Sequence, residues 1–145
     1  MQTYSNHIRY YPLHHFVITP LSLVFLSWSI YNLAEAYVDR SDLSFYIYLL
    51  VGAIILFLIP VIARIYALKN QNRIIRLEMR LRYFQLTGKS FSEMEKKLSL
   101  SQLIALRFAG DGELVPLMEK AIDQNLKALS IKKAITDWQG DYLRV

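Results

Sequence analysis

The chain has 145 residues, of which 54% are hydrophobic and 20% are charged, and its formal net charge is +5. Only six charged side chains fall within residues 1–68, whereas 23 fall within residues 69–145. We therefore predict two parts: residues 1–68 form an N-terminal segment and a transmembrane hairpin, and residues 69–145 form a water-exposed helical part. Because the chain has no cysteine, disulfides, thiol nucleophiles and cysteine-bound metals are excluded.

The first predicted membrane span covers about residues 16–38. Its apolar core, residues 16–33, would rise ~27 Å as a helix, close to the ~30 Å of a bilayer core. Pro12 suits the first turn of a helix, whereas Pro20 leaves two alternatives, a kink or a later helix start. No small-residue cleavage site follows the apolar run, so we expect an anchor and no signal peptide.

The second predicted span covers about residues 45–66, with Pro60 near its end. The connection through residues 39–42 is short and polar, which predicts that the two helices form an antiparallel hairpin. Small residues favour close approach of membrane helices, and the second span offers four of them: Gly52, Ala53, Ala63 and Ala67.

The distribution of basic residues predicts the orientation of this hairpin. The connection between the spans carries only Arg40, and Arg9 precedes the first span. Six basic residues follow the core of the second span: Arg64, Lys69, Arg73, Arg76, Arg80 and Arg82. Since cytoplasmic flanks carry the excess of lysine and arginine, we predict that both termini are cytoplasmic.

Helical periodicity continues beyond the second span, through residues 69–87, and Gly88 is a plausible helix stop. Four apolar residues recur at intervals of three and four; we call them the 74–84 stripe: Ile74, Leu77, Leu81 and Phe84. We therefore predict one long helix. The 57 residues beyond Gly88 are few for an independent core, so we expect the stripe, or a partner, to complete it.

The segment beyond Gly88 is predicted to be all-helical. Serines with a glutamate or glutamine three residues later are typical of helix starts. This pattern predicts caps at Ser90, Ser92 and Ser99, with Ser130 capping a last helix, and a helix over residues 113–126 between them. The predicted fold class is thus an all-α membrane protein, a two-helix transmembrane hairpin whose second helix extends into a small cytoplasmic helical domain.

The arginines give the most specific functional signal: Arg73, Arg76, Arg80 and Arg82. Basic clusters beside a membrane attract anionic lipids with ~1 kcal/mol per residue near the surface. Three overlapping interpretations stay open: lipid contact or topology, structural pairing with an acid such as Glu78, and contact with a partner protein.

A second candidate site lies within the first span, where Glu35 is the only acid and shares a helix face with Asn32. Intramembrane carboxylates can serve ion or proton pathways. Glu35 nevertheless falls in the last turns of the span, where water can reach it, so an interfacial role is favoured over a polar membrane site.

Other chemistries lack the residues they need. His7, His14 and His15 do not converge with acids, so we expect interface anchoring and no metal site. The helix predicted over residues 113–126 carries three acids and one lysine, which disfavours nucleic-acid binding. No catalytic triad or phosphate-binding loop is visible, so we predict a non-enzymatic protein without a cofactor.

Five segments together resemble a family of small two-span bacterial membrane proteins classed as a domain of unknown function. They are His14-His15-Phe16-Val17 with Pro20, residues 76–83, residues 86–89, residues 102–109 and residues 135–145. The resemblance implies a location in the bacterial cytoplasmic (inner) membrane. It implies no activity, and therefore no catalytic or binding residue.

The function we expect is that of an accessory or scaffold subunit whose cytoplasmic helical domain binds a partner protein. One alternative is a homo-oligomeric pore or small transporter with a polar stripe through Ser22, Ser29, Asn32 and Glu35. A third is a membrane protein that binds anionic lipid through its arginines. The expected partners are membrane lipids and a protein or a second copy of the chain.

Overall fold

The structure, a computed structural model, describes Tyr4 and residues 11–141. Within these residues the fold is entirely helical apart from one isolated β-bridge. A short π-helical segment precedes six α-helices, in chain order α1 Thr19–Val38, α2 Leu43–Thr87, α3 Ser92–Lys97, α4 Leu100–Leu106, α5 Asp111–Asp123 and α6 Ala128–Ala134. The prediction of an all-α fold is confirmed.

The first apolar helix begins as a π-helix, Leu13–Ile18, and becomes α-helical at Thr19. Pro20 lies within the first two positions of α1, but the helical stretch is continuous from Leu13 to Val38, so Pro20 marks a change from π- to α-helical hydrogen bonding and not a later helix start. Since proline has no N–H to donate, a change of hydrogen-bond pattern is tolerated here. The Thr19 hydroxyl donates to the carbonyl of His14 at 2.7 Å, which ties the two segments together.

The second helix, α2, is continuous for 45 residues and includes Pro60. It ends at Gly88, whose φ of +70° lies in the left-handed region that favours glycine. The Gly88 N–H donates to the carbonyl of Phe84 at 2.8 Å. The predicted long helix and its stop are confirmed.

Two helical stretches, Leu13–Val38 and α2, are long and apolar enough to cross a membrane. In each, only 6% of the most apolar 18 residues are buried. The core helix of a soluble protein would be covered by its neighbours, so this exposure favours a lipid environment.

The described residues fold as two compact units, one within Tyr10–Ala67 and one that includes the described part of Leu68–Val145. In the first unit, the buried side chains are small: Ser29, Ala36 and Ala53. Small side chains let helices approach closely, as predicted for Ala53. The same prediction is wrong for Ala63 and Ala67, which are exposed.

The second unit has a hydrophobic core to which α2 contributes Ile75, Met79 and Tyr83. We call these three residues the inner face of α2. They join side chains from the segments beyond Gly88, among them Phe91, Leu98, Leu103, Leu106, Leu114, Met118 and Ile131. The rings of Tyr83 and Phe91 lie 5.1 Å apart. The prediction that the 74–84 stripe completes this core is wrong, because all four of its residues are exposed.

The predicted helix caps have mixed outcomes. Ser99 and Gln102 form the predicted capping box, and the buried Gln102 amide also donates to the carbonyl of Leu126 at 2.9 Å. Neither Ser90 nor Ser92 caps α3, whose start has no side-chain cap.

The bounds of the last two helices also differ from the prediction. The helix predicted over residues 113–126 begins and ends earlier, as α5 Asp111–Asp123. Ser130 lies inside α6, which begins after Lys127.

The chain after α6 folds back onto the start of α5. Phe108 and Trp138 stack with ring centroids 4.9 Å apart, and the N–H of Gln139 donates to the carbonyl of Phe108 at 2.7 Å. A Cβ at Gly110 would collide with the Asp137 carboxylate, so a larger residue here would require that side chain to move. This contact holds Arg107 to Gly110 beside α2, where they meet Arg82.

The burial of the inner face of α2 can be tested by measuring the free energy of unfolding of alanine variants. Met79→Ala removes a side chain that is 1% exposed and should lower the free energy of unfolding by about 2–4 kcal/mol, since a cavity remains. Leu129→Ala, at a 58% exposed position of α6, is the matched control and should change it by less than about 0.5 kcal/mol.

The measurement is urea unfolding of the full chain in micelles, followed by Trp138 fluorescence in a Trp28→Phe background. Equal effects of the two alanine substitutions would contradict the assigned face.

Candidate interaction surface on the second helix

Two arginines of α2 share one carboxylate of α3. Arg80 Nε lies 2.7 Å from Glu95 Oε2, and Arg76 Nη1 lies 2.9 Å from Glu95 Oε1. The Glu95 side chain is only 10% exposed. The hydrogen bond from Arg80 is the main cause that lowers the pKa of Glu95 below its ordinary value of 4.5, with Arg76 adding to it. The pair fastens α3 to α2 at neutral pH.

Arg82 is the most deeply held of the four arginines, with a side chain 16% exposed. Its Nε donates to Asp111 Oδ1 at 2.5 Å. Its two terminal nitrogens donate to the carbonyls of Arg107, at 3.2 Å, and Ala109, at 2.5 Å. Because arginine carries several donors in a fixed planar fork, one side chain joins α2 to the end of α4 and the start of α5.

Arg73 differs from these three arginines. It is exposed, and among the described residues it forms no ion pair. The same holds for Glu78, the acid that the sequence offered as a partner for Arg76 or Arg82. Structural pairing, one of the three alternatives, therefore applies to Arg76, Arg80 and Arg82, with Glu95 and Asp111 as the acids. Arg73 remains available for lipid or protein.

The 74–84 stripe lies next to Arg73 and Glu78 on α2 and is exposed. The exposed fractions are 54% for Ile74, 61% for Leu77, 59% for Leu81 and 58% for Phe84. At 100° per residue, the centre of the stripe is about 180° from the centre of the inner face. The second helix thus has two apolar faces in this region, and the chain's own core covers one of them. Sequence periodicity found the stripe but placed it inside the domain.

The second predicted site, around Asn32 and Glu35, shows mainly local bonds. Glu35 is exposed, and its Oε1 accepts a hydrogen bond from the Tyr31 hydroxyl at 2.7 Å. Ser29 and Ser22 donate to carbonyls of their own helix, at 2.9 and 3.0 Å. Asn32 is half-buried. The acid is thus paired with a neighbour one turn away on α1.

The start of α5 holds a further carboxylate, that of the half-buried Glu113, which no sequence pattern indicated. Burial alone would raise the pKa of Glu113, but hydrogen bonds from the Thr136 hydroxyl and N–H and from the Asp137 N–H outweigh it and lower the pKa. The Thr136 hydroxyl donates at 2.6 Å. This carboxylate serves to join α5 to the segment after α6.

The fold and these contacts define a class: an all-helical protein with two helices apolar enough to span a membrane and a compact helical unit beyond them. Over residues 1–145 the chain matches a family of unknown function, DUF6526, and it belongs to that family. The predicted membership in a family classed as a domain of unknown function is confirmed. No curated protein and no solved structure matches the chain.

The shared carboxylate predicts an acid-sensitive stability. Glu95→Gln should lower the free energy of unfolding by about 1 kcal/mol at pH 7, since charge-assisted bonds from two arginines are weakened. Because the folded-state pKa of Glu95 is lowered, its contribution is full well above 4.5 and is lost as the pH falls through the lowered value. The difference between wild type and variant should therefore vanish in acid.

Glu93→Gln is the control, since Glu93 pairs with Lys96 only at the surface, where both side chains are more than 70% exposed. It should change the free energy by less than about 0.5 kcal/mol. The measurement is urea unfolding of the full chain in micelles between pH 7 and the acid limit of folding. A loss at Glu95→Gln that did not depend on pH would argue against the ion pairs.

Proposed function

We propose that this protein is a non-enzymatic accessory or scaffold subunit of the bacterial cytoplasmic membrane. Two helices anchor it, both termini lie in the cytoplasm, and the helical unit beyond the second span binds a partner protein. The observation that carries the binding role is the exposed 74–84 stripe on a helix whose opposite face is already buried.

The membrane location is supported by the two long apolar helices and their exposure. The orientation is supported by charge: the connection after α1 offers Arg40, while Arg64, Lys69 and Arg73 follow the second span. Basic residues beside a span stay on the cytoplasmic side. The helical unit would then lie in the cytoplasm.

The binding role is supported by the cost of leaving the stripe in water. Four large apolar side chains, each more than half exposed, form one continuous row on α2. Single exposed apolar residues are ordinary on soluble proteins, but a contiguous row of this kind marks an interaction surface. The unit's own core does not include any residue of the stripe.

A second candidate function is binding of anionic lipid, and the observation that favours it is the exposed Arg73. Three of the four arginines that could meet phosphate are already engaged by Glu95 and Asp111. A single uncommitted arginine contributes ~1 kcal/mol toward an anionic surface. Lipid contact is thus a supplement to anchoring by the spans.

Site-specific photocrosslinking in native membranes tests the proposal. A benzoylphenylalanine in place of Leu77 should yield protein adducts after irradiation of alkali-washed membranes, because this stripe position would lie in an interface. The same group in place of Leu129, which is equally exposed on α6, should yield few.

Adducts are resolved by gel shift and identified by mass spectrometry. Recovery of the chain in the alkali-soluble fraction would contradict the membrane anchor. Lipid adducts without protein adducts at position 77 would favour the lipid-binding alternative.

A further inference from the structure

We infer that the 74–84 stripe binds the same stripe of a second copy of this chain, forming a short, parallel, two-stranded coiled coil. This inference rests on the proposed function, since insertion of both copies in one membrane gives the helices a common direction. It names the partner that the proposed function left open.

The spacing of the stripe is that of a coiled-coil seam. Ile74, Leu77, Leu81 and Phe84 are separated by three, four and three residues, which are the a and d positions of two successive heptads. In the first heptad, a β-branched residue at a, Ile74, with leucine at d, Leu77, favours two strands; the second heptad has Leu81 at a and Phe84 at d. The stripe therefore fits a helix of its own kind in a twofold arrangement, in which each residue meets its own copy or a close neighbour.

The seam is free to be used because the domain lies on the opposite side of the helix. Ile75 and Met79 occupy the b and f positions of the first heptad and are buried in the unit's core, at 3% and 1% exposure. Tyr83 occupies the c position of the second heptad and is also buried. A second copy can therefore approach the a and d residues without displacing any part of that core.

The charges that flank the seam select the parallel arrangement. Arg73 is at g and Glu78 at the following e position, so each Arg73 would lie beside Glu78 of the other copy. Both residues are exposed, and neither has an ion-pair partner within the described part of its own chain. Two parallel helices would form two such interchain pairs.

In an antiparallel arrangement, the g positions of one helix would lie beside the g positions of the other. The two g positions of this seam are both arginines, Arg73 and Arg80. Like charges in that position oppose association. The next parallel pair joins Arg80 to Gln85, which is neutral, and Arg80 already binds Glu95 of its own chain. Charge complementarity thus resides in Arg73 and Glu78.

Two heptads bury too little surface to hold a dimer in dilute solution, because isolated helices of this length are marginal. In this chain the helix is already formed and is held by the core, so association does not have to order it. Anchoring in one membrane also raises the effective concentration of the two helices. We therefore expect dimerisation in membranes, and we expect it to be weak after dilution in detergent.

Disulfide trapping tests the seam directly, since the chain has no cysteine of its own. Leu77→Cys at a d position should form a disulfide dimer in native membranes on oxidation with copper phenanthroline. Leu86→Cys, on the same helix at an exposed f position, is the control for random collision and should remain at least about fivefold less crosslinked. Equal crosslinking of the two variants would overturn the inference.

A charge exchange tests direction and register. Arg73→Glu and Glu78→Arg each place like charges side by side, so each should weaken dimerisation in liposomes by about tenfold. The double variant restores opposite charges and should recover dimerisation, as read by energy transfer between labelled copies. Two single variants with undiminished dimerisation, or a double variant that fails to recover it, would contradict the parallel seam.

The outcomes separate this inference from the proposed function. If position 77 crosslinks to a different protein and no disulfide dimer is trapped, the partner-binding function is supported and the second copy is excluded as the partner. Lipid adducts alone, with no dimer, would remove both.

Discussion

The rotation of α2 about its own axis beyond Ala67 decides which side chains of this helix are buried and which are exposed, and the inner face fixes that rotation. Ile75, Met79 and Tyr83 enter the core, while Glu95 binds two arginines on one side and Asp111 binds Arg82 on the other. The apolar burial supplies most of the stabilisation, and the ion pairs add to it on either side of the buried face. Once this rotation is set, the 74–84 stripe has to face outward.

The sequence predicts the helices better than it predicts which faces they bury. Long apolar runs, the absence of helix breakers through residues 69–87 and a glycine at 88 were sufficient to predict the two long apolar helices and the end of α2. The inner face and the stripe are both apolar at helical spacing, so periodicity could not choose between them. The choice depends on contacts with segments distant in sequence. These include the packing of the inner face against the later helices and the binding of arginines by Glu95 and Asp111, which lie more than 12 residues away in sequence.

The same pairings explain why the site was only partly predicted. A row of arginines after a long apolar run is the pattern expected of a cytoplasmic flank, and the sequence predicts that role for them. Three of these arginines also hold α3 and the turn before α5 against α2. The predicted caps of α3 failed because their glutamates are engaged elsewhere: Glu95, three residues after Ser92, binds the two arginines. Glu93, three residues after Ser90, pairs with Lys96. What remains exposed on α2 is the stripe with Arg73 and Glu78, and the proposals concern that surface.

The central claim is that one helix carries two apolar faces, the first closed within the chain and the second between copies. Single-cysteine labelling along residues 74–84, in liposomes of varied protein density, measures it most directly. Positions 75, 79 and 83 should react slowly with maleimide at every density. Positions 74, 77, 81 and 84 should react fast when the protein is sparse and slowly when it is dense. Fast labelling of the first set, or labelling of the second set that ignores density, would contradict the account.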